Sequence, residues 1–191
     1  MTRQIIETHG LDKRRVYVAG LSAGAAMATT LAMTYPDLFA AVGVHSGLPQ
    51  GVAQSLPDAL GAMQGGTGPL SGSKAKGTGW ASEVPAIIFH GDRDTTVHSS
   101  NADRVAAQYS TSRQAGPTVE KGKVANGHAY TRTTHHNSKG EPHLEQWRIH
   151  GEGHAWSGGS TQGSYTDPKG PDASKEMLRF FFSHRLASRQ L

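Results

Sequence analysis

Apolar residues fall into two alternating patterns along the first half of this 191-residue chain. Short runs without polar alternation occupy 15–19 (Val16, Tyr17, Val18, Ala19), 39–44 and 85–90. Such runs read as strands covered on both faces. Between them lie segments with helical spacing. Residues 23–35 repeat Met27, Leu31 and Tyr35 every fourth position, and Pro36 ends the segment because the residue before a proline avoids the helical region. Residues 3–9 read as a helix with Ile5 and Ile6 on one side and Gly10 as its stop, 55–64 as a short helix, and 99–112 as a helix with Val105 and Tyr109 inward. Strand, helix, strand in this order predicts a right-handed parallel βαβ unit.

The pattern changes after residue 116. Residues 118–124 read as a short strand. Residues 129–135 and 143–149 read as two more, joined by Asn137-Ser138-Lys139-Gly140, which predicts a hairpin over about 128–150. Residues 151–169 form a long loop. Asp172, after Pro171, is the expected N-cap of a closing helix over 172–187, with Met177, Leu178, Phe181, Phe182 and Leu186 as its apolar stripe. The whole predicts one α/β domain over 1–191, a mostly parallel sheet flanked by helices, with Gly65–Gly79 as a mobile surface loop or partial lid.

Composition narrows the functions. The net charge of +4 is scattered, Lys13-Arg14-Arg15 is the only tight basic run, and no basic stripe carries interleaved aromatics, so no nucleic-acid partner is expected. There is no cysteine, hence no disulfide, thiolate zinc site or redox motif. No apolar run approaches the roughly 18 residues of a membrane span. Met1 to Glu7 lacks the apolar core and cleavage site of a signal peptide.

The chemistry-bearing stretch is Gly20-Leu21-Ser22-Ala23-Gly24, a G-x-S-x-G turn between an apolar strand and an Ala-rich helix. A serine there sits in a strained conformation that exposes its hydroxyl at the sheet's end, and Gly20 and Gly24 let strand and helix approach closely. The plain alternative is a helix N-terminal serine on a glycine turn. The third strand runs into His90-Gly91-Asp92-Arg93-Asp94, at the carboxyl end where open parallel sheets bind ligands. Asp94, deeper in the turn, is the expected carboxylate for orienting a histidine, its alternative being a turn or cap residue. Asp92 reads as a turn carboxylate paired with Arg93. Of 11 histidines most are expected to be exposed. His128, His135, His136 and His143 cluster around the hairpin, but with no cysteine and no acidic residue at metal-ligand spacing no metal is expected. His154 follows the last strand in a glycine-flanked loop that can return an imidazole to the serine. The order Ser22, Asp94, His154 is that of the α/β-hydrolases. It predicts Ser22 as nucleophile, His154 as base, and the Ala23 backbone N–H as an oxyanion donor, with no cofactor.

These stretches resemble the polyhydroxybutyrate depolymerase family of α/β-hydrolase esterases. The likeness also rests on Tyr35-Pro36-Asp37-Leu38-Phe39, Val44-His45-Ser46-Gly47-Leu48-Pro49, Gly153-His154-Ala155-Trp156-Ser157-Gly158-Gly159 and Gly163-Ser164-Tyr165-Thr166-Asp167-Pro168. The resemblance implies a serine esterase acting on short-chain 3-hydroxyalkanoate esters, polymeric or small, and favours Asp94 over Asp92. It implies a substrate cleft with Trp156, Ser46 and Tyr165. Feruloyl and acetylxylan esterases share the motif set and form the nearest alternative. A binding remnant that holds polymer through Trp156 and Tyr165 without turnover is the other. A full α/β-hydrolase has several strands before the nucleophile strand, one of whose loops supplies the second oxyanion donor. The chain therefore reads as the C-terminal portion of that fold with the N-terminal strands missing, expected to be weakly active and poorly soluble alone. Relatives in the family are often exported, which an upstream signal peptide would extend to this protein.

Overall fold

The computed structural model describes residues 1–53, 55–65, 83–110 and 116–187. The loop expected at Gly65–Gly79 lies, beyond Gly65, outside the described residues, as does the end of the helix expected at 99–112. The elements are α1 (Thr2–Thr8), β1 (Tyr17–Leu21), α2 (Ala23–Thr34), β2 (Ala41–His45), α3 (Leu56–Met63), β3 (Ala86–Gly91), α4 (Ser100–Tyr109), β4 (Thr118–Lys123), β5 (Ala129–His136), β6 (Pro142–His150), β7 (Trp156–Ser157), β8 (Thr166–Asp167) and α5 (Ala173–Phe182).

Six strands form one sheet in the order β1-β2-β3-β6-β5-β4. The first four are mutually parallel, and β5 and β4 add antiparallel neighbours. The expected hairpin is thus β5–β6, extended by β4 into a meander. β2 and β3 are buried along their whole length, as their unbroken apolar runs required. Successive side chains of a strand point to opposite faces. Val42, Val44 and Ile88 accordingly pack with Ala25, Ala28 and Met33 of α2 and Val105 and Tyr109 of α4, whereas Ala41, Ile87 and Phe89 pack with Met177, Phe180 and Phe181 of α5.

Two helices present a different face from the one their spacing suggested. In α2 the buried residues are Ala25, Ala28, Thr29, Ala32 and Met33, while Met27 and Tyr35 are 59% and 46% exposed. The chain at the end of β2 comes so close that mainly small side chains, with Met33, fit beneath the helix. A Cβ at Gly47 would stand 2.7 Å from that of Ala25. In α5, Met177, Phe180 and Phe181 are buried, but Leu178 and Phe182 are exposed, because the face that meets Gly43 of β2 is the i, i+3, i+4 set starting at Met177. The helix stops at Phe182 rather than at 187, and Leu186 lies beyond it with its N–H on the Arg14 carbonyl. Asp172 caps α5 through the Lys175 N–H, as expected, and Ser55 caps α3 through the Asp58 N–H. The stretch expected as a bare loop, 151–169, contains the two-residue parallel ladder β7–β8.

The two glycines of the serine turn differ in what they do. A Cβ at Gly20 would overlap the Gly24 carbonyl group, so glycine is obligatory there. A Cβ at Gly24 would meet nothing within 4 Å, and the expectation that both glycines serve close packing holds for Gly20 alone. Gly20→Ala should lower unfolding free energy by about 1–3 kcal/mol or more, as overpacking does. Gly24→Ala, inside a helix, should raise it by about 0.5–1 kcal/mol. Urea denaturation of the two variants checks the opposite signs.

Candidate active site

Parallel strands β1, β2, β3 and β6 end on the same side of the sheet, and the residues singled out from the sequence all sit at or just beyond those ends. Ser22 follows β1 with φ 57° and ψ −118°, a left-handed φ that few non-glycine residues adopt. Its backbone is held on both sides: its N–H donates to the His45 carbonyl at 2.9 Å and its carbonyl accepts from the Ala26 N–H at 3.0 Å. Ser22 occupies the N-cap position of α2, yet its side chain makes no cap hydrogen bond with the helix. Ala23 opens α2, where the first N–H groups have no intrahelical acceptor and point at the helix's entrance.

Asp94 lies in the turn after β3 and is buried. Its Oδ1 accepts backbone N–H groups of Thr96 and Val97 at 2.9 and 2.8 Å, and its Oδ2 stands 2.7 Å from His154 Nδ1. Burial alone would raise its pKa. Hydrogen bonds from His90, the Val97 N–H and His154 overcome that and hold the carboxyl well below the usual carboxylate range. An ionised Asp94 can only accept, so His154 Nδ1 carries the proton and its Nε2 is left with a free lone pair. Among the described residues no hydrogen bond joins that Nε2 to the Ser22 hydroxyl. The structure pairs Asp94 with His154 and places Ser22 at the end of β1, on the same edge of the sheet.

Asp92, expected beside Arg93, instead binds the end of β6: its Oδ2 lies 2.8 Å from His150 Nδ1 and its Oδ1 accepts the Gly151 N–H at 2.7 Å. That bond anchors the start of the loop bearing His154. Trp156, on the same loop, is partly buried, stacks on His45 with ring centroids 5.2 Å apart, and donates its indole N–H to Ser174 Oγ. Tyr165 is 73% exposed with φ 86°, and its carbonyl accepts the Trp156 N–H. Ser46 is corrected: it is fully buried, so it does not line a cleft. Its left-handed φ of 49° turns the chain at the end of β2, and its hydroxyl lies 3.2 Å from His45 Nδ1.

Most histidines were expected to be exposed, but His45, His90 and His143 are buried, and nothing in the sequence singled them out as such. His45 is fully buried, and its Nε2 accepts the Ser157 N–H at 3.1 Å. Nε2 therefore carries no proton, and Nδ1–H donates to Ser46 Oγ. Burial, then the nearby His90 and His154, push its pKa down to about 3. His90 is also buried and donates Nε2–H to the Val97 carbonyl at 2.8 Å, beneath Asp94. Glu152 is fully buried, accepts the Ser157 hydroxyl at 2.8 Å on Oε2, and leaves Oε1 without a partner among the described residues. Burial pushes its carboxyl up to about 8. No acidic residue stands at metal-ligand spacing along the sequence, but the fold brings two to one of the hairpin histidines. Asp167 Oδ2 lies 2.9 Å from His128 Nε2, and one oxygen of Glu152 falls within 4.8 Å of both partners. No sequence signal marks such a group, because its members are separated by loops.

With this geometry in view, the likeness to known proteins is informative. The family model "Esterase PHB depolymerase" matches residues 1–116. Poly(3-hydroxyalkanoate) depolymerase C of Paucimonas lemoignei is 34% identical over 152 residues, which span 76% of this chain and 36% of that protein. Acetylxylan esterase A of Aspergillus ficuum is 34% identical over 120 residues, 57% of this chain and 40% of that protein. The chain thus covers well under half the length of these curated relatives. Among solved structures, an acetyl xylan esterase from Aspergillus awamori aligns with TM-score 0.65 at 21% identity, over 95% of this chain and 64% of that one. A PHB depolymerase from Penicillium funiculosum aligns with TM-score 0.60 at 18% identity, over 90% of this chain and 52% of that one. Both share the α/β-hydrolase fold with this chain.

A buried neutral His45 makes stability depend on pH with a definite sign. Its folded pKa lies near 3 and its unfolded value near ~6.5, so between them the unfolded chain binds a proton that the folded chain refuses. Stability from this group is complete above pH ~6.5 and declines as pH falls toward 3, by at most about 1.4 kcal/mol per pH unit. A His45→Gln chain should be less stable at pH 7 and show a shallower decline from pH 6.5 to 4, read from thermal unfolding by circular dichroism.

Proposed function

The chain belongs to the PHB depolymerase family of esterases, and from that premise we propose that it is a serine hydrolase of carboxylic esters working through Ser22, His154 and Asp94. The observation that carries the reading is the 2.7 Å bond between Asp94 Oδ2 and His154 Nδ1, which fixes the imidazole tautomer whose Nε2 can take a proton. His154 removes the proton of the Ser22 hydroxyl as its oxygen attacks the ester carbonyl. The oxyanion that forms is met by the Ala23 N–H. Collapse expels the alcohol, which takes the proton from His154, and leaves an acyl-enzyme on Ser22. Water, deprotonated by the same nitrogen, then attacks the acyl-enzyme and frees the acid and the serine. Asp94, ionised throughout, stabilises the imidazolium in both halves.

The substrate class is read from the relatives. Identity to a poly(3-hydroxyalkanoate) depolymerase over three quarters of the chain supports short-chain 3-hydroxyalkanoate esters, from polyester or small molecules. A second reading, acetyl esters of a polysaccharide, draws on the match to acetylxylan esterase A over 57% of the chain. Tyr165 offers an exposed ring as a wall for either substrate. Trp156 backs His45 and holds the loop from behind.

Ser22→Ala should lower hydrolysis of p-nitrophenyl butyrate by a factor on the order of 10⁶. A fluorophosphonate probe should add one label, at Ser22, by mass spectrometry. An unlabelled Ser22, or near-normal activity in the alanine variant, would refute the assignment. Relative rates on a 3-hydroxybutyrate trimer and on acetylated xylan separate the two substrate readings.

A further inference from the structure

Behind the loop bearing His154, three metal-ligating side chains from three separate segments converge. His128 comes from the turn before β5, Glu152 from the loop after β6, and Asp167 from β8. One donor atom of each lies within 4.8 Å of the other two, and His128 Nε2 and Asp167 Oδ2 are 2.9 Å apart. The proposed catalytic cycle uses none of them. Glu152 is the unusual member: it is fully buried, one oxygen accepts the Ser157 hydroxyl, and the other has no partner among the described residues. A buried carboxylate oxygen without a partner is a costly arrangement that a folded chain seldom retains without reason.

The surroundings are shaped around this carboxylate. A Cβ at Gly170 would overlap Glu152 Oε2 and Ser157 Oγ, so the Lys169–Gly170 backbone closes directly over it. His128 and Asp167 are partly exposed, with side chains 18% and 24% accessible, which leaves an entry from solvent on one side. With Glu152 giving up its proton on binding, two carboxylates and an imidazole total two negative charges, the complement of a divalent cation. An imidazole nitrogen with carboxylate oxygens is a ligand set suited to Zn²⁺, at bond lengths of about 2.0–2.2 Å. Tetrahedral ligands at those lengths sit about 3.3 Å from one another. His128 and Asp167 would separate slightly and Glu152 would close in, movements within the reach of side-chain rotation.

We propose that His128, Glu152 and Asp167 form a divalent-metal site, best matched to Zn²⁺, that ties the loop bearing His154 to the start of β5 and to β8. The three ligands complete the shell with water in the fourth position. The ion takes no part in bond making. It fixes Glu152, two residues before His154, and so acts as a positioning element for the imidazole. This site is independent of the esterase assignment, and metal binding is read without any substrate.

The test uses the whole chain, stripped with EDTA and exchanged into metal-free buffer. Titration with Zn²⁺ should show one saturable equivalent by calorimetry. At free Zn²⁺ about 100 times Kd the thermal midpoint should rise on the order of 5–10 °C. Co²⁺ in its place should give the visible absorption of a four-coordinate ion. Glu152→Gln and Asp167→Asn should each abolish the equivalent and the Co²⁺ spectrum, whereas a His135→Gln/His136→Gln chain should retain both. Near-UV circular dichroism of the metal-free variants reports whether they fold, and either one suffices if the other does not. The proposal fails if the unaltered chain binds no stoichiometric Zn²⁺. It fails equally if both carboxylate variants bind as the unaltered chain does, or if binding is lost with His135 and His136.

Discussion

The structure depends on a place where two backbones touch. Gly91, at the end of β3, has no side chain, and the carbonyl of Glu152 occupies the space a Cβ would need. That carbonyl accepts the Arg93 N–H at 3.0 Å, so the turn after β3 and the loop after β6 form a single packed layer. Because β3 and β6 are parallel neighbours, their carboxyl ends already lie side by side. The contact converts that adjacency into a fixed distance, and Asp94 and His154, 60 residues apart in the chain, meet across it. Any side chain at Gly91 would push the two loops apart and with them the carboxylate from the imidazole.

A second clasp reaches the serine. The main-chain carbonyl of His45 holds the Ser22 N–H, and the ring of the same residue holds the Ser157 N–H, 112 residues further on. One buried residue with a neutral ring therefore joins the serine turn, through its backbone, to the histidine loop, through its side chain. Its neutrality bears on the proposed chemistry: a charged imidazole at this point would repel the imidazolium that the proposed mechanism forms at His154. Burial, which keeps His45 unprotonated, thus serves the charge balance of the neighbouring ring.

What could be read from the sequence and what could not divide along physical lines. The serine turn, the parallel strands and the order Ser22, Asp94, His154 were legible because each is written locally, in an apolar run that ends at glycine or in a carboxylate at a strand's end. The cap at Asp172 was legible for the same reason. The buried face of α2 was not, because spacing favoured the large residues Met27 and Tyr35 while the closeness of the chain at the end of β2 selected mainly small ones. Ser46 looked like a cleft residue from its motif, yet its left-handed φ turns it inward, and backbone handedness leaves no mark in a non-glycine residue's identity. His45, His90 and the group at His128, Glu152 and Asp167 were invisible because their partners are brought in by tertiary contacts. The β7–β8 ladder is too short for any periodicity.

At the far side of the sheet, β4 bears on how copies of the chain behave at high concentration. It lies at the margin of the sheet, and every residue but Gly122 is exposed. Its outer row of peptide groups would template an intruding strand were it flat and apolar. Instead it carries Lys121 and Lys123 on one face and, on the other, Glu120 bound to Arg132 and Gly122 beneath the Tyr130 ring. Two identical margins approaching each other would bring lysine against lysine, so strand-by-strand stacking of this protein into fibrils is disfavoured from that side by charge.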